Sequence, residues 1–251
     1  MTVHSLPWKP ARARVLRRLA VMATLVCGLS APIAQAQPAP SLPAFDLNVV
    51  VLTPQEQARD QTSLGAMRQQ IEWLNRDFVT QDDRHLVTFR LKSIQDYASI
   101  KDSHCELVSL AQKAYDGDAW NQAFNACNDP TVRDPKAINV YIYDSYSPRL
   151  GYADANSHGR YNKARPYIFV DWDRLRTRDQ SPFEHELGHA FGLGHVCAVG
   201  AERGSDTNIM ASAECGKGSG GRRNIGFNPE QADTILRSAI RIARMLAQPP
   251  R

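Results

Sequence analysis

The chain's 251 residues carry a formal net charge of +4, from 30 basic and 26 acidic side chains. Five of the bases, Lys9, Arg12, Arg14, Arg17 and Arg18, stand in residues 1–36, where there is no acid. Without that segment 25 bases face 26 acids, a net charge near −1, and nothing in the balance asks for a nucleic-acid partner.

Residues 1–36 have the order of a secretory signal peptide: the basic start, an apolar core from Leu19 to Leu29, then Ala34-Gln35-Ala36. The core is too short to span a bilayer comfortably, so the sequence predicts cleavage and a secreted or periplasmic product with no membrane anchor. Residues 37–44 read as a short linker and 45–251 as one domain, large enough for a sizeable core. Four cysteines remain, Cys105, Cys127, Cys197 and Cys215. An even number in an exported chain suggests two disulfides, with three connectivities open. Local pairing, Cys105–Cys127 and Cys197–Cys215, closes two modest loops worth on the order of 3 kcal/mol each.

In chain order, Phe45 to Leu52 is β-branched and lies between Pro43 and Pro54, which predicts a strand. Thr53-Pro54-Gln55-Glu56 has the form of a capping box. Leu64, Met67, Ile71, Leu74 and Phe78 follow at helical steps, one apolar stripe on a long helix. Strands are predicted at Leu86–Leu91, Ile138–Tyr143 and Tyr167–Val170, with a short one at Leu150-Gly151-Tyr152-Ala153 and a helix around Cys105 to Tyr115. Ser181-Pro182-Phe183-Glu184 forms a second capping box, and Asn228-Pro229-Glu230-Gln231 opens a final helix with Arg237, Arg241 and Arg244 on its solvated face. The order of elements predicts an α/β fold of the α+β type: a mixed layer structure, then a small irregular C-terminal lobe ending in a helix.

The chemistry is concentrated in His185-Glu186-Leu187-Gly188-His189-Ala190-Phe191-Gly192-Leu193-Gly194-His195. His185 and His189, four apart on a helix, lie one turn above each other on the same face. Gly192 can take the left-handed conformation that ends the helix and returns the chain, so that His195 approaches the same ion. Three neutral nitrogens leave a fourth position open, the pattern of one catalytic Zn²⁺. Glu186 is placed as general base towards a water on that metal, and then as proton donor to the leaving amine. Met210, fifteen residues after His195, is placed as an apolar floor beneath the imidazoles. His85, His104 and His158 are isolated and read as surface or core residues.

The spacing H-E-x-x-H-x-x-G-x-x-H with a later Met is the metzincin signature. Beyond it, Ile71 to Phe78, Val87 to Leu91, Ile138 to Tyr143, Asn208-Ile209-Met210 with Cys215, and Phe227 to Gln231 resemble the pappalysin-like branch of that zinc metalloprotease family. The resemblance implies a two-lobed peptidase, with residues 45–195 as upper lobe, built of a twisted mixed sheet with two long helices, and 196–251 as lower lobe. It also implies that an extended protein or peptide substrate lies against an edge strand at Leu150, Gly151, Tyr152 and Ala153, and that the enzyme works as a monomer. The segment between His195 and Met210 is shorter than in that branch and lacks its acidic, cysteine-rich run, which leaves Ca²⁺ open. Ala211 and Ser212 stand where relatives carry an acid and a Tyr, which leaves Tyr152 and Tyr161 as candidates to assist the transition state. A silent binding module and a structural zinc domain are the alternatives. Glu186 speaks against the first and the three-ligand set against the second.

Overall fold

The computed structural model describes residues 41–113, 115–145, 157–176, 178–212 and 220–248, all of which belong to one compact unit. Residues 1–36, the predicted strand at 150–153 and Cys215 lie outside them. The strands are β1 (Ala44–Val51), β2 (Thr88–Gln95), β3 (Ile138–Tyr143), β4 (Ser157–Arg160) and β5 (Tyr167–Asp171). They form one sheet in the order β2-β1-β3-β5-β4. Every neighbouring pair runs parallel except β4 with β5, where Ser157 lies opposite Val170 and Arg160 opposite Tyr167. Among the described strands the antiparallel one thus ends the sheet on one side.

Both faces of the sheet are covered, which is why β3 and β5 are buried at every position. On one face Leu47, Val49, Val140, Ile142 and Ile168 pack against α2 (Leu64–Asp77) and α6 (Pro182–Ala190). On the other, Val50, Tyr141 and Phe169 pack against α4 (Glu106–Leu110) and α5 (Gly117–Ala126). The architecture is the predicted mixed α/β one, with α7 (Pro229–Leu246) closing the chain. Among the described residues no helix is long and apolar enough to cross a membrane.

The local expectations differ in places, each for a physical reason. The long helix is broken into α1 (Glu56–Thr62) and α2, because Ser63 leaves helical geometry and caps α2 by accepting from the Ala66 amide at 3.3 Å. Leu64, at the start of the predicted stripe, is therefore 53% exposed, while Met67, Ile71, Leu74 and Phe78 are buried. The first capping box is absent: Gln55 occupies the cap position and no side chain caps α1. Strand β2 begins two residues later than predicted and runs to Gln95. Residues read as loop contain α5, whose N-cap Asp116 accepts from the Asp118 and Ala119 amides. At the C-terminal helix the capping box forms as predicted, with Asn228 and Gln231 exchanging side-chain-to-backbone bonds of 2.9 Å. The Cys105–Cys127 disulfide is present, and Cys197 is also disulfide-bonded.

Candidate metal centre

Helix α6 starts at Ser181, but not through the predicted capping box. Ser181 sits at φ +41°, and its hydroxyl donates to the Arg223 carbonyl at 3.0 Å rather than capping the helix. Glu184, the acid of that box, is instead completely buried beside Arg178, which also pairs with Asp77 of α2 and lies over the Trp73 ring at 4.6 Å. Burial raises the Glu184 carboxyl and Arg178 holds it back. This ionic link ties the first turn of α6 to α2.

The helix ends at Ala190, and Gly192 stands at φ +94°. A Cβ there would meet nothing nearer than the Ser238 hydroxyl at 3.7 Å, so the need for glycine is conformational rather than steric. The reversal brings His195 back to His185 and His189. The three Nε2 atoms lie 3.2 Å (His185–His189), 3.0 Å (His189–His195) and 3.3 Å (His185–His195) apart. The other ring nitrogens of the first two have fixed partners: His185 Nδ1 donates to the Ile209 carbonyl at 2.7 Å and His189 Nδ1 to the Leu193 carbonyl at 2.8 Å. A carbonyl only accepts, so these Nδ1 atoms carry the protons and, in a neutral ring, each Nε2 is a bare lone pair. Burial lowers the pKa of both rings, reinforced at His185 by Arg223, and so keeps them neutral.

This donor set fits a tetrahedral metal. For Zn–N bonds of 2.0–2.1 Å the edge of the tetrahedron is about 3.3 Å, close to the separations found. Among the described residues it is the group of histidine, cysteine or acidic side chains that comes together in this way. Glu186 lines the same cavity, of about 340 Å³, and its Oε2 has no hydrogen-bond partner among the described residues. Burial pushes its carboxyl up to about 8, against the pull of Arg223 and Arg174.

Beneath the site Met210 is fully buried, where a Cβ on Gly188 would overlap its sulfur, so the predicted floor lies under α6 itself. Asn208 holds that turn: its Oδ1 accepts from the Met210 amide (2.9 Å) and from Gln231 at the start of α7 (3.1 Å). The His185 tether comes from the residue between them, Ile209. Tyr161 is not part of the cavity lining and packs under Arg241 of α7. His85 and His104 are exposed and remote.

The cavity also contains groups that no motif announced. Strand β4 runs along it, and Gly159 packs so tightly on α6 that a Cβ would overlap the Glu186 carbonyl. His158, read from sequence as an isolated ring, stacks on Tyr115 at 3.6 Å, and its buried Nε2 has no partner among the described residues. Arg160, Arg174 and Arg223 line the cavity as well. Their spacing along the chain follows no pattern, so nothing in the sequence marked them.

Two expected outcomes follow from these contacts. Removing the guanidinium in Arg178→Ala leaves Glu184 buried without its cation, and should cost about 3 kcal/mol in denaturant unfolding. Arg178→Ala combined with Glu184→Gln should recover part of that loss, and no recovery would disprove the ionic link. The second concerns pH. Burial, with Arg160 and Arg174, lowers the His158 pKa to about 4, against about 6.5 in an unfolded chain. Between those values the unfolded state binds a proton that the folded state does not, so stability falls as pH drops from about 6.5 to about 4, by up to ~3 kcal/mol. Chelator-treated protein should lose less stability between pH 7 and pH 5 as His158→Phe than as wild type, and equal losses would clear His158 of the effect.

No family model matches the chain, and no curated protein matches it. Among solved structures it is similar to the archaemetzincin of Methanopyrus kandleri, at 17% identity over 80% of this chain and 98% of that one, with a TM-score of 0.44. A likeness that loose assigns neither fold nor activity.

Proposed function

We propose that this chain is an exported zinc-dependent endopeptidase of the metzincin type, in its pappalysin-like branch, acting on proteins or peptides. The observation that carries the reading is the convergence of three histidine Nε2 atoms at tetrahedral spacing beside a buried glutamate. His185, His189 and His195 would hold a zinc ion, which would supply a water of lowered pKa and a polarised carbonyl, the chemistry of peptide hydrolysis without a protein nucleophile.

The chain's own residues supply the rest. Glu186 takes the proton of the attacking water and returns it to the departing amine. A carboxyl raised by burial suits that exchange, because a base works best with its pKa near the working pH. Among the described strands β4 ends the sheet beside Glu186, and in this reading an extended substrate adds to it as a further strand, held by backbone bonds. The basic, apolar and A-x-A order of residues 1–36 supports export.

Zinc-loaded protein should cleave casein or a mixed peptide panel and stop when chelated. Glu186→Gln should bind zinc normally and lose at least about a hundredfold in rate, the usual worth of a general base. Equal rates for wild type and variant would end the peptidase reading. His195→Ala should lose most of its zinc on dialysis, by elemental analysis, and unchanged stoichiometry would remove His195 from the centre.

A further inference from the structure

A second cavity, of about 670 Å³, shares no lining residue with the metal centre. It lies where the end of α5 and the loop after it meet the β4–β5 turn and the end of α7. Among the described residues its wall includes Arg133, Arg165, Asn128, Pro130, Pro135 and Met245, and no acidic side chain. Both arginines are half-buried. Burial lowers the Arg133 guanidinium from its ordinary value, and the charge of Arg165 acts in the same direction. The acids nearest in sequence are engaged elsewhere: Asp129 accepts from the Ser103 and Thr131 hydroxyls at 2.6 Å each, and Asp134 pairs with Lys92.

The two cations are held differently. Arg133 lies over the Phe124 ring at 4.8 Å and donates from Nη1 to the Cys127 carbonyl at 3.0 Å. That bond satisfies a carbonyl at the end of α5, a structural duty that accounts for its place. Arg165 has no such duty, since among the described residues its guanidinium makes no hydrogen bond or ion pair. The backbone that presents it is nonetheless strained. Asn162, Lys163 and Ala164 stand in succession at φ +41°, +52° and +69°, a left-handed run that residues other than glycine keep only where their surroundings hold it. Asn162 supplies the hold, donating from its side-chain amide to Asn125 Oδ1 on α5 at 3.1 Å and to the Arg165 carbonyl at 3.2 Å.

We propose that this cavity binds a tetrahedral oxyanion of the phosphate class between Arg133 and Arg165. Two guanidiniums without an acid between them match two negative charges, and a tetrahedral group offers oxygens to both forks, whereas a single fork fills one carboxylate. The bound anion would join the loop after α5 to the β4–β5 turn. The cavity exceeds the size of a phosphate, and its apolar wall of Pro130, Pro135 and Met245 leaves room for an organic group that carries one. This inference is independent of the peptidase reading.

The test is calorimetric titration of the purified protein with inorganic phosphate and with acetate at matched ionic strength, for wild type, Arg165→Gln and Lys163→Gln. Lys163 is exposed and outside the cavity wall, so its variant removes a like charge from the same turn without touching the site. Arg165→Gln should weaken phosphate binding about tenfold, the worth of one charge-assisted fork, and Lys163→Gln less than about twofold. Acetate should bind at least about tenfold more weakly than phosphate. Sedimentation with phosphatidylcholine vesicles, with and without phosphatidic acid, separates the two sources of such a group. Co-sedimentation that needs phosphatidic acid and that Arg165→Gln abolishes assigns the phosphate to a lipid headgroup. Binding of inorganic phosphate without co-sedimentation assigns it to a free ligand. No saturable binding in either assay, equal effects of the two variants, or acetate bound as tightly as phosphate overturns the proposal. Phosphate taken up by a metal at the histidines would be indifferent to Arg165→Gln, and that result also overturns it.

Discussion

The inward lone pairs of His185 and His189, held 3.2 Å apart, repel in the absence of a cation, and a flexible chain would turn them away. Here each ring is prevented from turning by something outside it. His185 is tethered to Ile209 and His189 to Leu193 by Nδ1 bonds, and the reversal at Gly192 carries His195 into place. The tethers also settle the tautomer, so the same hydrogen bonds that fix orientation make the inward nitrogens able to accept a metal.

The supports of those tethers reach through most of the molecule. Ile209 stands in a turn held by the Asn208–Gln231 amide pair, which joins it to the first turn of α7. Helix α6 is anchored to α2 through Glu184, Arg178 and Asp77, and it is pressed by β4 at a point where only glycine fits. Residues far from the histidines, in α2 and α7, are thus joined to the candidate metal centre by direct contacts.

The hydrophobic pattern was legible wherever a segment meets its own periodicity. Ile138 to Tyr143 and Tyr167 to Val170 appear as β3 and β5, and the stripe from Met67 to Phe78 faces the core. Capping chemistry was legible at Asn228 but misleading at Ser181, where the hydroxyl goes to Arg223 and Glu184 goes to Arg178. Ser181 found a partner in a distant segment and Glu184 one just outside its own helix, and the spacing of a capping box encodes neither. Helix α5 and strand β4 were missed because Gly and polar residues there are stabilised by what they pack on, α5 against the far face of the sheet and β4 on α6.

Taken alone, the sequence determined which three histidines come together and the turn that brings them there, because helix geometry and glycine's φ freedom convert a spacing of four and six residues directly into positions in space. Only the tertiary structure decided how those groups are buried, which nitrogen of each tethered ring faces inward, and which charges surround them. Ile209, Leu193, Gly159 and the three arginines lie on separate elements, and their meeting depends on how the sheet and helices pack, a property of the whole fold rather than of any local run of residues.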